Sequence, residues 1–223
     1  NGIQAEHQAV RNSSGMFDVS HMGEFWITGD GALEFLQYMT INNVSKLEVG
    51  DAQYSAMCYD DGGIVDDLIL YRKLDGYFMV VNASNIDKDL KWLTKHKPKT
   101  VNIENYSEKY SLVALQGPQS RNVLSKFTQA DLNLKFYSYV DTIVCGHSVM
   151  LSRTGYTGEL GFEIYAINEA IIDIWNAFNN VGVTPCGLAS RDILRMEMKY
   201  CLYGNDIDHT TNPIEAGLGW ITD

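Results

Sequence analysis

The sequence lacks any apolar run near the roughly 20 residues that a membrane-crossing helix needs, which argues against a membrane span. Positive charge is scarce: 17 Lys and Arg stand against 28 Asp and Glu, a net charge of −11 over 223 residues. An acidic chain repels phosphate backbones, so neither nucleic acid nor an anionic membrane surface is an expected partner, and a basic or locally positive one is favoured. There are four cysteines, Cys58, Cys145, Cys186 and Cys201, and no two form a CxxC pair, which excludes zinc-type spacing. Their apolar or aromatic flanks read as buried thiols in a reducing compartment, a bacterial cytoplasm or a mitochondrial matrix. GxxxxGK[ST], HExxH, GxSxG and GxGxxG are all missing. His7, His21, His96, His147 and His209 are scattered, none spaced i,i+3 or i,i+4, so neither a histidine metal site nor a Ser-His-Asp triad has support and no metal is expected.

The first residue is not Met, and no signal-type apolar stretch follows it. NGIQAEHQAVRNSSG reads as the middle of a helix, so the protein is expected to extend beyond one or both ends. What is present is ordinary globular material: 45% apolar and 20% charged residues, which excludes disorder, collagen and coiled coil. The length allows one large or two small domains. Helical spacing covers 3–13, and GEFWITG (23–29) is a short strand. A helix capped by Asp30 runs to about Met39. Strands follow at 52–59, 64–72 and 76–83, joined by the hairpin-like turns Asp60-Asp61-Gly62-Gly63 and Leu74-Asp75-Gly76. Ser84 or Asn85 caps a helix over 86–96, and 101–105 is a further strand. The same order then recurs: strand 110–117, helix 118–127, strands 135–140, 147–153 and 162–166, helix 169–180 and strand 181–185. A last helix spans 191–202, and the Gly-, Asn- and Asp-rich tail 204–220 reads as a crossing loop. The order β-α-β-β-β-α-β is thus written twice. Hairpins dominate, which suits two α+β modules with mainly antiparallel sheets and a cleft between them rather than a doubly wound parallel sheet.

Three segments carry candidate chemistry. DDGGIVDDLILY (60–71) sends a strand out of a glycine turn bearing adjacent carboxylates, Asp66 and Asp67. Successive strand residues face opposite ways, so one acid is drawn inward, where it needs partners or a raised pKa. The alternative is a pair of polar residues beside a turn. SRTGYTGELGFEIY (152–165) places glycines at 155, 158 and 161, which let backbone approach a ligand closely, ahead of a strand holding Glu163 between Phe162 and Ile164. A ligand edge with two parallel N–H donors would satisfy that acid; an outward-facing Glu is the alternative. GLASRDILRMEMKYCLYGNDID (187–208) opens a helix with Arg191, whose planar fork suits a carbonyl or carboxylate, unless it pairs with a nearby acid. Tyr54, Tyr59, Tyr156 and Tyr203 could stack on a flat heterocycle or fill an aromatic core.

Taken in order, GMFDVSHMGEF (15–25), GGIVDDLILY (62–71), ALQGP (114–118), SRTGYTGELGFEIY (152–165), SRDILRME (190–197) and LYGNDID (202–208) closely resemble the aminomethyltransferase (T-protein) family of the glycine cleavage system, in sequence and in spacing. The resemblance implies an α+β fold whose two modules, 1–22 with 110–205 and 23–109 with 206–223, face a central folate cavity. It implies transfer of a methylene carbon from the aminomethyl-dihydrolipoyl arm of a lipoylated H-protein to tetrahydrofolate, with ammonia released. The family's catalytic Asp falls on Asp67, the Glu that holds the pterin edge on Glu163, and a folate-contacting Arg on Arg191. Tyr54, Asn82 and Tyr156 match further cavity positions. Leu160 stands where the family usually has Asp, Ser190 replaces a usual Ala or Gly, and MEMKYC (196–201) replaces a commoner small, Gly-containing stretch. An N-terminal cavity-lining segment and the family's C-terminal β-barrel are absent from this chain. Related folate-dependent demethylase or oxidase domains, and non-catalytic folate-binding paralogues, are the alternatives within the same fold.

Overall fold

The computed structural model describes residues 2–223. Its elements run α1 (Ile3–Asn12), β1 (Gly15–Asp18), β2 (Gly23–Thr28), α2 (Ala32–Met39), β3 (Ala52–Cys58), β4 (Ile64–Arg72), β5 (Tyr77–Val81), α3 (Ile86–His96), β6 (Asn102–Asn105), β7 (Tyr110–Gln116), α4 (Ser120–Leu124), β8 (Tyr139–Val144), β9 (His147–Ser152), β10 (Gly161–Ile167), α5 (Asn168–Asn180), β11 (Thr184–Cys186) and α6 (Leu188–Glu197). The chain divides into two compact units. One holds the residues up to His21 together with Lys109–Tyr200; the other holds Met22–Glu108 and Cys201–Asp223.

Each unit is built on one sheet. In the second unit the strand order is β3-β4-β5-β2-β6, and in the first it is β11-β1-β7-β10-β9-β8. Every neighbouring pair of strands is antiparallel except β1 with β11. This is the α+β architecture that a hairpin-rich element order demands. The doubled order β-α-β-β-β-α-β is repeated in space as well: β8, β9, β10, β7 and β11 take the places of β3, β4, β5, β2 and β6. The repeat is broken by β1, which inserts between β7 and β11. No strand is expected at 15–18 from the sequence, because GMFD is short and follows directly on the helix-ending Ser13-Ser14-Gly15. Pairing on both sides makes it a strand, with Gly15, Met16 and Phe17 all buried.

The cores follow from the period-two pattern of the strands. In the first unit Phe162, Ile164 and Ala166 of β10 turn one face toward Ile174 and Phe178 of α5. In the second, Phe25 and Ile27 of β2, Met79 and Val81 of β5 and Leu70 of β4 pack with Leu36 of α2 and Leu93 of α3. A smaller cluster of Ala56, Ile64, Ile207, Leu218 and Ile221, joined by Cys201 and Tyr203, ties the C-terminal segment to the second unit. All four cysteines are free thiols; Cys186 is buried and the other three are half-buried. Among the described residues no helix is long and apolar enough to cross a membrane.

Element ends differ from the sequence expectation where backbone in the left-handed region intervenes. Tyr137, at φ 60°, turns the chain, so the strand expected at 135–140 forms at Tyr139–Val144 instead. The last helix stops at Glu197 rather than continuing to 202. There the Tyr200 N–H donates to the Arg195 carbonyl at 3.0 Å and the Lys199 N–H to the Met196 carbonyl at 3.0 Å, with Lys199 at φ 60°. This is a Schellman ending, whose left-handed residue is most often glycine. A lysine there bears a steric cost, so Lys199→Gly is expected to raise stability by about 1 kcal/mol, read as a higher urea midpoint at unchanged slope. A lower midpoint would contradict that account of the helix end.

Candidate functional site

In the second unit the site begins with an irregularity in a strand. Met57 of β3 pairs with Asp66 of β4, but Cys58 pairs with Ile64, so Val65 is an extra residue in the ladder. The next two residues, Asp66 and Asp67, point to opposite faces. Asp66 turns toward α3 and is fully buried. Its carboxylate accepts from the Asn82 backbone N–H at 3.0 Å, from Asn82 Nδ2 at 2.9 Å and from Asn85 Nδ2 at 2.6 Å. The reading of this pair as polar residues beside a turn is therefore overturned for Asp66.

Asp67, on the other face, is half-buried. Tyr54 Oη donates to its Oδ2 at 2.9 Å and Asn82 Nδ2 donates to its Oδ1 at 2.8 Å. An amide nitrogen carries two hydrogens, so Asn82 can hold Asp66 with one and Asp67 with the other. The Tyr54 ring stacks on Trp220, centroids 6.0 Å apart. Burial pushes the Asp67 carboxyl up to about 7, with the Asp66 charge adding to the rise and the bonds from Tyr54 and Asn82 opposing it. A carboxyl poised there can hold or release a proton near neutral pH. Asn85, expected as a helix cap, makes no capping bond and gives its amide to Asp66 instead. Two more acids of this unit are fully buried with no donor reaching either oxygen: Asp89 on α3, and Glu24 on β2, which burial pushes up to about 9.

In the first unit, β10 carries Glu163 on the face opposite its core residues, 5% exposed. It is therefore not an outward-facing acid of an amphipathic strand. Thr154 Oγ1 donates to Glu163 Oε2 at 2.5 Å and lies 2.8 Å from Ser152 Oγ, which fixes the hydroxyl's direction. The Arg191 guanidinium, from the start of α6, lies over the Tyr156 ring at 4.8 Å and the Phe17 ring at 5.9 Å. Burial pushes it below its ordinary value, and the Glu163 charge opposes that shift. Arg191 forms no ion pair among the described residues, and its Nη1 is buried without a hydrogen-bond partner. The acid of its own helix, Asp192, pairs with Arg195 at 2.8 Å instead. Tyr156 stacks on Tyr200, centroids 5.9 Å apart.

Two glycines of the 152–165 segment lie against a protein side chain. A Cβ on Gly155 or Gly161 would come within 2.2 or 2.3 Å of the Gln116 amide. That amide is fully buried, accepts from Thr157 Oγ1 at 2.8 Å and donates to the Thr154 carbonyl at 3.3 Å. These glycines let the loop close over a protein side chain, and the closed loop presents Thr154 to Glu163.

The residues singled out from the sequence thus fall into two sets. Tyr54, Asp67 and Asn82 are bonded together in the second unit; Tyr156, Glu163 and Arg191 cluster in the first. Sequence reasoning missed the roles of Thr154, Tyr200, Asn85 and Asp89. The last had a signal: Asp89 falls in the apolar stripe of α3, beside Ile86, Leu90 and Leu93, where an acid is out of place. Among the described residues no cluster of His, Cys, Asp and Glu could hold a metal ion.

Comparison with known proteins gives these two sets a context. The family model described as the GCVT N-terminal domain matches residues 1–223. The aminomethyltransferase of Chloroherpeton thalassium is 54% identical over 99% of this chain and 63% of its own length. That of Halothermothrix orenii is 50% identical over 98% of this chain and 63% of its own length. The chain therefore spans just under two thirds of these curated relatives. A crystal structure described as glycine cleavage system aminomethyltransferase T from Bartonella henselae superposes with a TM-score of 0.92, at 34% identity, over 100% of this chain and 61% of that one. Matched along its whole length in sequence and in fold, the chain belongs to the GCVT N-terminal domain family.

Proposed function

We propose that the protein carrying this chain is a tetrahydrofolate-dependent aminomethyltransferase of glycine cleavage. It takes the methylene unit from the aminomethyl-dihydrolipoyl arm of H-protein, passes it to tetrahydrofolate and releases ammonia. The observation that carries this reading is Asp67: an acid held by two donors and pushed up to about 7 by burial and by Asp66. Such a group can take the proton that the attacking folate nitrogen loses, and its negative charge stabilises a cationic aminomethyl carbon.

The first unit's residues fit a pterin. A pterin edge presents an N–H and an amino group side by side, and a carboxylate such as Glu163 accepts both. Thr154 holds one Glu163 oxygen and leaves its remaining lone pairs for that edge. The buried, unpartnered Nη1 of Arg191 fits a carbonyl oxygen of the ligand, since an N–H of this kind is costly to leave unbonded. Tyr156, held between Arg191 and Tyr200, offers a rigid wall. Tyr54 and Asn82 act on Asp67, fixing which lone pairs it presents. Tetrahydrofolate as substrate supplies the nucleophilic nitrogens; Glu163 and Arg191 are assigned to hold it and Asp67 to manage the proton. The names of the relatives and four free thiols support H-protein as partner and the reducing bacterial cytoplasm as the compartment.

The test is an assay with aminomethyl-loaded H-protein. Ammonia and methylenetetrahydrofolate are expected to appear in equal amounts, and only when both H-protein and tetrahydrofolate are present. Ammonia release that ignores folate would overturn the reading.

A further inference from the structure

On the α3 face of the second unit's sheet, opposite Asp67, lie two adjacent buried acids, Asp66 and Asp89. Both are 0% exposed. Three N–H donors converge on Asp66, two from Asn82 and one from Asn85, and an oxygen receiving N–H bonds is an acceptor. No donor of the described residues reaches either oxygen of Asp89. One helical turn before it on the same side of α3, Asn85 reaches Asp66 at 2.6 Å, which puts the Asp66 carboxylate beside Asp89. Two carboxyl groups can hydrogen-bond to each other only if one carries the proton. The donor count decides which one: both Asp66 oxygens already accept N–H bonds and one lone pair is left for a fourth donor, so the proton belongs on Asp89.

We propose that Asp89 is a neutral carboxylic acid that donates its proton's hydrogen bond to Asp66, and that this acid–carboxylate pair positions Asn82 and, through it, Asp67. The proposal deepens, and rests on, the reading of Asp67 as the acid–base group. Asp89 is a positioning residue: it acts through Asp66 and Asn82 and touches no reacting atom.

The surroundings agree. Burial, and after it Asp66, raises the Asp89 carboxyl well above the ordinary carboxylate range. Lys88, next to it on α3, opposes that rise, but its ammonium is engaged elsewhere: it donates to the Val65 carbonyl and lies over the Tyr203 ring at 4.0 Å. From the C-terminal segment, Tyr203 faces the same group of acids, and burial together with Asp66, Asp208, Asp89 and Asp67 pushes its phenol up to about 12. An ionised Asp89 would add a further buried anion to this group and drive Asp67 higher still. A neutral Asp89 instead adds a fourth donor to Asp66. The Asn82 amide, held by Asp66, then keeps its second hydrogen on Asp67.

The experiment uses protein labelled with carbon-13 at the aspartate carboxyls, compared with Asp89→Asn and Asp89→Leu. One aspartate carboxyl resonance is expected to remain in the protonated position at about pH 8 to 9, where Asp67 has ionised, and to be missing from Asp89→Asn. Asparagine also donates to Asp66, so Asp89→Asn should keep the pH midpoint of methylene transfer at its wild-type place and retain kcat within about threefold. Leucine offers no donor, so Asp89→Leu should lose about tenfold or more in kcat at unchanged KM for tetrahydrofolate, with the midpoint moved upward as Asp67 loses a bond. An Asp89 resonance that titrates as an ordinary carboxylate below about pH 5 overturns the proposal. So does a downward shift of about one pH unit in Asp89→Asn, which would mark the loss of a negative charge. The labelled spectrum decides the protonation of Asp89 even where the leucine variant does not fold. It decides it, too, where no methylene transfer is found and only the reading of Asp67 fails.

Discussion

Asp67→Asn is expected to lower methylene transfer by about a hundredfold to ten-thousandfold, the range lost with a general acid or base, while tetrahydrofolate affinity stays near wild type. The substitution suits the site. The Asn carbonyl can accept from Asn82 Nδ2, and its amide can donate to the Tyr54 oxygen, so the two contacts seen at 2.8 and 2.9 Å persist with the charge gone. The pH dependence gives a second reading. The reaction needs the ionised acid, so the wild-type rate should climb with pH and level off above about 7, where Asp67 has lost its proton. The variant should lack that limb. Stability should run the other way. The folded-state value of Asp67 is raised from 3.8 to about 7, so between those values the folded chain binds more protons than the unfolded one and stability falls as pH rises. Asparagine escapes that loss: the variant should resist urea better than wild type above about pH 7, and the advantage should vanish below about pH 4. A variant with wild-type turnover, or a wild-type rate that is flat across neutral pH, would remove Asp67 from the chemistry.

Glu163→Ala should weaken tetrahydrofolate binding by about thirtyfold, equivalent to about 2 kcal/mol for bonds made to a charged acceptor. Turnover at saturating folate should fall far less, because Glu163 is assigned to hold the ligand and Asp67 to handle the proton. Glu163 is nearly fully buried and already receives Thr154, so its carboxylate is oriented before any ligand arrives. Its charge also supports the buried Arg191 guanidinium, which has no other acidic partner among the described residues. Part of the loss will therefore come through Arg191. Glu163→Gln, which keeps the shape and one acceptor, should fall between alanine and wild type. Calorimetry that returns wild-type affinity for the alanine variant would contradict the pterin role.

Much of the fold is local and could be read residue by residue. The turns at 60–63 and 74–76, the alternating strands around them and the amphipathic helices announce hairpins and helices in a repeated order, and that order does not suit a doubly wound parallel sheet. The elements that escaped are those whose signal lies elsewhere in the chain. A four-residue strand such as Gly15–Asp18 exists because β7 and β11 pair with it on either side. The helix end at Lys199 carries no glycine to mark it. The site shows the same division. Residues 60–71 and 152–165 were recognisable as segments with out-of-place acids, and the likeness to a family supplied names for them. Asn85 looked like a helix cap because its type and position fit one, but Asp66, nineteen places away, takes its amide.

By itself, then, the sequence determined the fold class, the doubled element order, the acidic character and the few segments where acids stand among apolar residues. Those are properties of composition and short-range periodicity, which the chain carries before it folds. Tertiary structure decided which of two adjacent aspartates faces α3, which of four acids in the second unit, the buried Glu24, Asp66 and Asp89 and the half-buried Asp67, can work near neutral pH, and which guanidinium nitrogen is left without a partner. A proton's affinity depends on burial and on charges brought close from distant parts of the chain, and neither exists until the strands pair and the helices cover them.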